Sequence, residues 1–171
     1  MPDETETDCV IEDDRWQTAG LPALAERAVA AALGWHGIGG EVVVMGCDDA
    51  RIAALNADFR GKPQATNVLS WPAVEHVPHE PGARPDLPDQ DELGDIAIAF
   101  DTCAAEARAQ DKPLADHVTH LLVHATLHLL GYDHLNEADA ETMETVERSI
   151  LQTLDIPDPY RAPDPYHEKV R

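Results

Sequence analysis

The sequence predicts an α+β fold in which helices pack around a small sheet, and two observations lead to this prediction. Short apolar or alternating runs, which are typical of strands, are interleaved with longer segments of helical periodicity. The 171 residues are 43% hydrophobic, which is enough for a single core, and no internal repeat is present. We therefore expect one domain over residues 1–156, followed by a Pro-rich C-terminal tail over residues 157–171.

The predicted strands are short apolar runs bounded by polar or turn-forming residues. They cover residues 9–11, 42–45, 67–71 and 94–100. The intervening residues 72–90 are rich in proline and charge, which indicates a surface loop between two strands rather than a linker between domains.

The predicted helices follow from apolar periodicity and from the residues at their ends. They cover residues 21–35, 51–55, 101–110, 114–130 and about 137–154. Asp48 and Asp49 can cap the second helix, which is expected to break into a loop at residues 59–63. Asp101 is the expected cap of the third helix, and Pro113 and Gly131 are expected to begin and end the fourth.

The strong negative charge limits the kinds of partner that the protein can bind. The chain has 33 acidic and 12 basic residues, and the formal net charge of -21 argues against broad, non-specific binding of polyanions. An acidic surface suits basic partners, such as ribosomal proteins. A general acidic bias that aids solubility predicts the same composition.

Cysteine usage and the lack of apolar segments predict a soluble, cytoplasmic protein with no membrane partner. Cys9, Cys47 and Cys103 form no CxxC pair, which favours buried small hydrophobes over a disulfide framework or a thiolate zinc site. The N-terminus has no signal-peptide pattern, and no apolar run approaches membrane-spanning length.

The most informative feature is a histidine cluster in and just after the fourth helix. His124 and His128 are four residues apart, so their side chains are neighbours about 6 Å apart at Cβ and can bind one ion. Gly131 can adopt a left-handed conformation that turns His134 back toward the last helical turn. The spacing H-x3-H-x5-H therefore predicts a three-histidine metal site at the end of this helix.

Three neutral imidazoles with an open fourth position are typical of a catalytic zinc, because that position can hold a water whose pKa the metal lowers. We expect one Zn²⁺ per chain. His117 and His120 are expected to lie outside the ligand set, and His120 is the better candidate for supporting a ligand. Asp133 either orients an imidazole, assists proton transfer or forms a local turn. Ala125 stands where an HExxH protease has its glutamate base.

The segment from His124 to His134, HATLHLLGYDH, strongly resembles the signature H-G-x-L-H-L-x-G-Y-D-H of the YbeY family of bacterial endoribonucleases. Only Ala125 departs from it, in place of a glycine. Residues 55–60 (LNADFR), 66–72 (TNVLSWP) and 94–96 (GDI) resemble further family segments in matching order. Asn67 stands where the family pattern has Asp, so a hydrogen bond can be kept but a charge is lost.

The resemblance implies a mixed four-stranded sheet with about five helices, zinc at the three histidines, and single-strand-specific RNA hydrolysis by a domain over residues 1–156. It also implies 3′-end maturation of small-subunit (16S) ribosomal RNA and ribosome quality control. The expected partners are ribosomal RNA, small-subunit proteins and, through the acidic surface, a ribosome-associated GTPase. The oligomeric state is left open.

The same resemblance suggests residues that act beside the metal. Arg60 matches the family's functional arginine, and we expect it to bind the scissile phosphate while Lys62 holds a neighbouring one. Less specific candidates in the matching segments are Asn67, Ser70 and Asp95. In so acidic a protein, RNA binding requires a local basic cleft, built from Arg60, Lys62 and Arg51 around the metal.

Two other functions fit the histidine pattern. One is a zinc hydrolase with a non-RNA substrate, such as a protease or amidase, although Ala125 speaks against a protease. The other is a non-catalytic ribosome assembly factor that zinc stabilises and whose acidic surface binds a basic partner. An open fourth coordination position would count against this second alternative.

Overall fold

The computed structural model describes residues 4–160 and confirms the α+β class. The strands are β1 (Thr5–Ile11), β2 (Gly40–Cys47), β3 (Val68–Pro72) and β4 (Glu92–Ala99). The helices are α1 (Arg15–Ala19), α2 (Leu21–Trp35), α3 (Asp49–Arg60), α4 (Phe100–Ala109), α5 (Leu114–Leu129) and α6 (Glu137–Thr153). Most of the predicted C-terminal tail, residues 161–171, lies outside the described residues, so the predicted domain boundary stays a prediction.

The four strands form one mixed sheet, as expected, and their order in it is β1-β2-β4-β3. Strands β1, β2 and β4 are parallel, and β3 pairs antiparallel with β4. The predicted Pro-rich loop connects β3 to β4, and apart from Pro72, which ends β3, it contains neither helix nor strand. Because β3 is an edge strand that also contacts α5, its residues lie beside the end of the sheet where the histidines are found.

Helix α5 is the central helix of the main core. It contacts α2, α6 and strands β3 and β4, and Val118, Leu122 and Leu129 on its apolar stripe are fully buried. Burial of each such side chain stabilises the fold by roughly 1.5–3 kcal/mol. The opposite face of the sheet packs against α3 in a smaller cluster around Ile52 and Leu69. No helix within residues 4–160 has the length and apolar character needed to span a membrane.

Several element ends differ from the predicted ones for local reasons. Helix α3 extends to Arg60, because it ends at Gly61, whose φ of 68° is left-handed, rather than near residue 55. Its predicted cap is confirmed, since the Asp48 side chain accepts a hydrogen bond from the Arg51 backbone N–H at 2.8 Å. The prediction for Asp101 was wrong, because Ala99 is the N-cap of α4 and Asp101 lies in its first turn.

The short helix α1 was not predicted, because its five residues are too few to show a helical period. It positions Trp16, which is fully buried and donates a hydrogen bond from its indole to the carbonyl of Cys47 at 3.0 Å. Cys47 and Cys103 are buried, as expected of small hydrophobes, and Cys9 is half-buried.

Candidate metal centre

The three predicted metal ligands converge at the end of α5. His124 and His128 lie one turn apart, with their Nε2 atoms separated by 3.1 Å. The ring centroid of His134 lies 5.5 Å from that of His124 and 5.1 Å from that of His128. One ring nitrogen from each histidine lies within 4.8 Å of the other two. The structure thus brings together the set that the sequence spacing predicted.

The turn that returns His134 to the helix requires glycine at position 131. Gly131 has a φ of 108°, which side chains rarely adopt. A Cβ at this position would also lie 2.9 Å from His76 Nδ1 and 3.0 Å from Pro85 Cβ. His76 itself hydrogen-bonds the carbonyl of Leu129 through Nε2 at 2.8 Å, so the Pro-rich loop closes over the end of α5.

Hydrogen bonds fix the orientation of both imidazoles on α5. His128 Nδ1–H donates to the backbone carbonyl of Tyr132 at 2.8 Å, and His124 Nδ1–H donates to Glu147 Oε2 at 3.0 Å. A carbonyl and a carboxylate only accept, so in each neutral ring Nε2 carries the lone pair. Two lone pairs 3.1 Å apart repel each other unless a cation lies between them. The arrangement therefore fits a bound metal ion.

The His128 imidazole has the protonation state that a metal ligand needs. Burial, followed by the nearby His124, lowers the pKa of His128 to about 4. The ring is therefore neutral at neutral pH, and its Nε2 lone pair is available to a metal.

Glu147 on α6 is a functional candidate that the histidine pattern did not indicate. It is fully buried, and its Oε1 accepts hydrogen bonds from His120 Nε2 and the Tyr160 hydroxyl, each at 2.9 Å. Burial alone would raise the pKa of Glu147, but the hydrogen bonds from His120 and His124 outweigh it and lower the pKa to about 2. The buried carboxylate is thus ionised.

This buried charge is further support for a cation at the site. Within residues 4–160, the ion-pair partners of Glu147 are His120 and His124 rather than lysine or arginine. A metal ion held by His124 would compensate the carboxylate through the imidazole. One signal in the sequence could have found this residue, because Glu147 interrupts the apolar stripe of α6, which includes Met143 and Ile150.

The histidines line a cleft of about 800 Å³. Arg60 and Lys62 line it from the end of α3, and within residues 4–160 neither has a carboxylate at ion-pair distance. Their positive charges are therefore available to an anion. Arg51 is not part of the cleft lining and pairs instead with Glu12 at 3.3 Å, so its expected contribution to a basic cleft was wrong.

Comparison with known proteins agrees with the motif resemblance. The family model described as Endoribonuclease YbeY matches residues 6–155. A relative named Endoribonuclease YbeY from Paracoccus denitrificans is 68% identical over 154 residues, covering 90% of this chain and 88% of the relative. The chain belongs to the endoribonuclease YbeY family.

Further comparisons extend this finding. The relatives of the same name from Cereibacter sphaeroides and Dinoroseobacter shibae are 56% and 53% identical, covering 88% and 95% of this YbeY-family chain and 96% and 94% of their own lengths. The solution structure of TM1509 from Thermotoga maritima is similar with a TM-score of 0.55, covering 95% of this chain and 99% of that one at 21% identity. At this identity the likeness supports the fold alone.

The remaining predicted residues of this YbeY-family chain fall into two groups. Asn67, Ser70, His120 and Asp133 line the cleft. His120 is linked to the ligand His124 through Glu147, and the two rings also lie edge-on with centroids 6.3 Å apart. The Asp133 carboxylate accepts a hydrogen bond from the Leu135 backbone N–H at 3.3 Å, as a turn-former does. Asp95 is exposed on β4, in register with Val43 and Trp71, and is not part of the cleft lining.

Asn67, the departure from the YbeY pattern, has a specific partner in this chain. Its side-chain amide donates to both carboxylate oxygens of Glu106, at 3.1 and 3.3 Å. Glu106 Oε1 also accepts from His117 Nε2 at 2.8 Å, so His117 supports Glu106 rather than the metal centre. An aspartate at position 67 would face this carboxylate with a second negative charge, whereas Asn67 donates to it.

Proposed function

We propose that this chain is a zinc-dependent, single-strand-specific endoribonuclease that acts in 3′-end maturation of 16S ribosomal RNA and in ribosome quality control. One observation carries the proposal. Three imidazole nitrogens converge in a cleft that Arg60 and Lys62 also line, and neither cation has a carboxylate partner among residues 4–160. The names of the YbeY relatives support RNA as the substrate.

Zinc suits the donor set, because His124, His128 and His134 would hold it through three imidazole nitrogens in the cleft, the ligand type that zinc prefers. Bound there, zinc supplies a Lewis acid for a phosphoryl oxygen and lowers the pKa of a water molecule. We assign one ion to each chain.

The cationic side chains would bind and orient the RNA backbone. The Arg60 guanidinium can donate two parallel hydrogen bonds to the scissile phosphate, and it would neutralise the charge that develops there as the bond breaks. Lys62, two residues further on, would hold a neighbouring phosphate as a point charge. Asp133 is the one carboxylate among the described residues that line the cleft, so we assign proton transfer to it.

The acidic surface outside the cleft would bind basic proteins of the small ribosomal subunit. Four exposed carboxylates share one face of the sheet, because Glu6 pairs with Glu41 in register and Asp8 and Asp95 both pair with Val43. Such a face attracts lysine- and arginine-rich segments and repels RNA. A ribosome-associated GTPase is proposed as a further partner of this acidic surface in the cytoplasm.

The direct test is cleavage of a labelled single-stranded RNA by protein of measured zinc content. We expect His128→Ala to lose both zinc and cleavage. Arg60→Glu should keep zinc and lose most of the cleavage, because it reverses the charge beside the phosphate. Arg108→Glu is the matched control, since Arg108 is exposed on α4 and not part of the cleft lining, and it should cleave like the wild type.

The alternatives predict different outcomes of the same experiment. If zinc-loaded wild type cleaves neither free RNA nor RNA in precursor small subunits, the assembly-factor function replaces the proposal. Cleavage of amide substrates in place of RNA would indicate another zinc hydrolase. Mapping of 16S 3′ ends after incubation of precursor subunits with wild type or His128→Ala tests the maturation step.

A further inference from the structure

The segment that follows α6 returns to the metal centre. The backbone N–H of Tyr160 donates to Asp158 Oδ1 at 2.8 Å, and Asp158 Oδ2 forms an ion pair with Arg148 Nε at 3.2 Å. The first contact closes a tight turn and the second attaches the turn to α6. Together they direct the Tyr160 side chain toward the cleft, which its ring helps to line.

The Tyr160 side chain makes four contacts there, one of which is the approach of its hydroxyl to His120 Nε2 at 3.4 Å. Its hydroxyl donates to Glu147 Oε1 at 2.9 Å. Its ring packs edge-on against His120, with centroids 5.6 Å apart and an interplanar angle of 90°. The Arg148 guanidinium lies 5.7 Å from the ring centroid. Tyr160 is thus held in one place by both its hydroxyl and its ring.

We propose that Tyr160 is a positioning residue of the metal centre, whose hydroxyl holds the Glu147 carboxylate in the orientation that directs His124 at the metal. This inference rests on the proposed three-histidine metal site. Glu147 Oε2 accepts from His124 Nδ1, whereas Oε1 accepts from Tyr160 and His120. Without the phenol, one of three donors to a fully buried carboxylate is lost.

A purely structural role for Tyr160 makes a different prediction. If the ring only attached the segment to α6, removal of the hydroxyl would leave metal affinity unchanged. If the hydroxyl acts through Glu147, its removal must weaken metal binding, and this effect must disappear when Glu147 no longer holds a charge. Metal affinity measured in both backgrounds separates the two roles.

The experiment measures Zn²⁺ affinity of the full chain by competition with a chelator. Glu147→Gln should weaken binding by about 10- to 100-fold, the usual effect of losing a partner that orients a ligand. Tyr160→Phe, which affects His124 only through Glu147, should weaken zinc binding roughly three- to tenfold. In the Glu147→Gln background, Tyr160→Phe should cost less than about twofold more. Ser149→Ala removes a hydroxyl of α6 that bonds the Thr145 carbonyl outside the cleft lining, and it serves as the control.

Three results would overturn the inference. Wild-type zinc affinity in Tyr160→Phe would leave the ring with an attaching role only. An equal loss in both backgrounds would mean that the hydroxyl does not act through Glu147. A wild-type chain that binds no zinc would remove the three-histidine site itself, and the proposed function with it. Thermal unfolding of each metal-free variant checks that the fold is kept.

Discussion

At the scale of single residues, the metal centre depends on the hydrogen bonds that orient its ligands as much as on the ligands themselves. His124 and His128 each donate through Nδ1 to an acceptor, which leaves both Nε2 atoms for a metal. Asn67, which lines the cleft, is likewise a donor paired with an acceptor, because its amide donates to the Glu106 carboxylate. Single-atom changes at such positions should therefore have effects out of proportion to their size.

Replacement of Asn67 by Asp exchanges a donor for a second carboxylate. The new oxygen would lie about where the amide nitrogen now lies, 3.1 Å from Glu106 Oε1. We expect Asn67→Asp to lower the free energy of unfolding by about 1–2 kcal/mol, measured by urea denaturation of zinc-loaded protein. Glu106→Gln in the same chain should restore most of the loss. Unchanged stability of the single variant would show that the hydrogen bond between Asn67 and Glu106 does not contribute to the stability of the fold.

Replacement of Asp133 by Asn tests its assignment to proton transfer. The amide keeps the size and the turn hydrogen bond to Leu135 but removes the basic oxygen. Cleavage of single-stranded RNA should fall by roughly 10²- to 10⁴-fold with zinc content unchanged. Asp86→Asn removes an exposed loop carboxylate and is the matched control. Normal cleavage by Asp133→Asn would reduce Asp133 to its role in the turn.

The sequence could predict the ligands but not all of their supports. His124, His128 and His134 lie within a single motif, so helical spacing and Gly131 were enough to place them. Glu147 lies 23 residues from His124, and Tyr160 lies 13 residues from Glu147. The periodicity of a single helix cannot predict contacts between residues so far apart in the sequence. The contact between Asn67 and Glu106 was hidden for the same reason.

At the scale of elements, the end of α5 is held in contact with the Pro-rich loop that covers it. The helix ends where Gly131 turns the chain, and His76 from the loop hydrogen-bonds the carbonyl of Leu129 just before that turn. The predicted boundaries of α5 were accurate to one residue because Pro113 and Gly131 mark them. Asp101 was misassigned because Arg15, 86 residues away, is its partner.

Replacement of Gly131 by Ala should damage the metal centre without a change in any ligand. The Cβ would contact His76 Nδ1 at 2.9 Å and would be strained at a φ of 108°. We expect a stability loss of about 1–3 kcal/mol and weaker zinc binding, because His134 is displaced. Gly34→Ala in α2 is the control, since a Cβ there meets no atom within 4 Å, and it should be neutral or stabilising. Normal zinc affinity in Gly131→Ala would show that the turn tolerates a side chain.

At the scale of the whole molecule, the net charge of -21 is reconciled with RNA binding by a small local cationic site. Arg60 and Lys62 lie at the cleft, whereas Arg15, Arg51 and Arg148 are paired with carboxylates elsewhere. Composition therefore predicted the negative charge of most of the surface but not the positive charge at the cleft. The local exception follows from the position of Arg60 and Lys62, two cations that have no ion pair within residues 4–160 and that line the cleft beside the histidines.

Such a site should show a shallow dependence of RNA affinity on salt. Two phosphate contacts imply a slope of about -1.4 in a plot of log affinity against log salt, or roughly a sevenfold loss between 50 and 200 mM. Zinc-loaded Asp133→Asn, which is expected to bind without cleaving, allows the measurement with a labelled single-stranded RNA. Lys62→Ala should reduce the slope by about 0.7. A much steeper slope would mean that further cations contact the RNA.

The Pro-rich loop separates two sets of cleft residues along the chain. Arg60 and Lys62 precede the loop, and all three metal-ligand candidates follow it. A cut within the loop would thus place the two phosphate-binding candidates on one fragment and the three metal-ligand candidates on the other, so neither fragment alone would hold the complete site. The two would recognise each other through the β3–β4 and β2–β4 pairings. The chain would therefore be suited to use as a split-enzyme reporter, in which RNA cleavage indicates that the two fragments have associated.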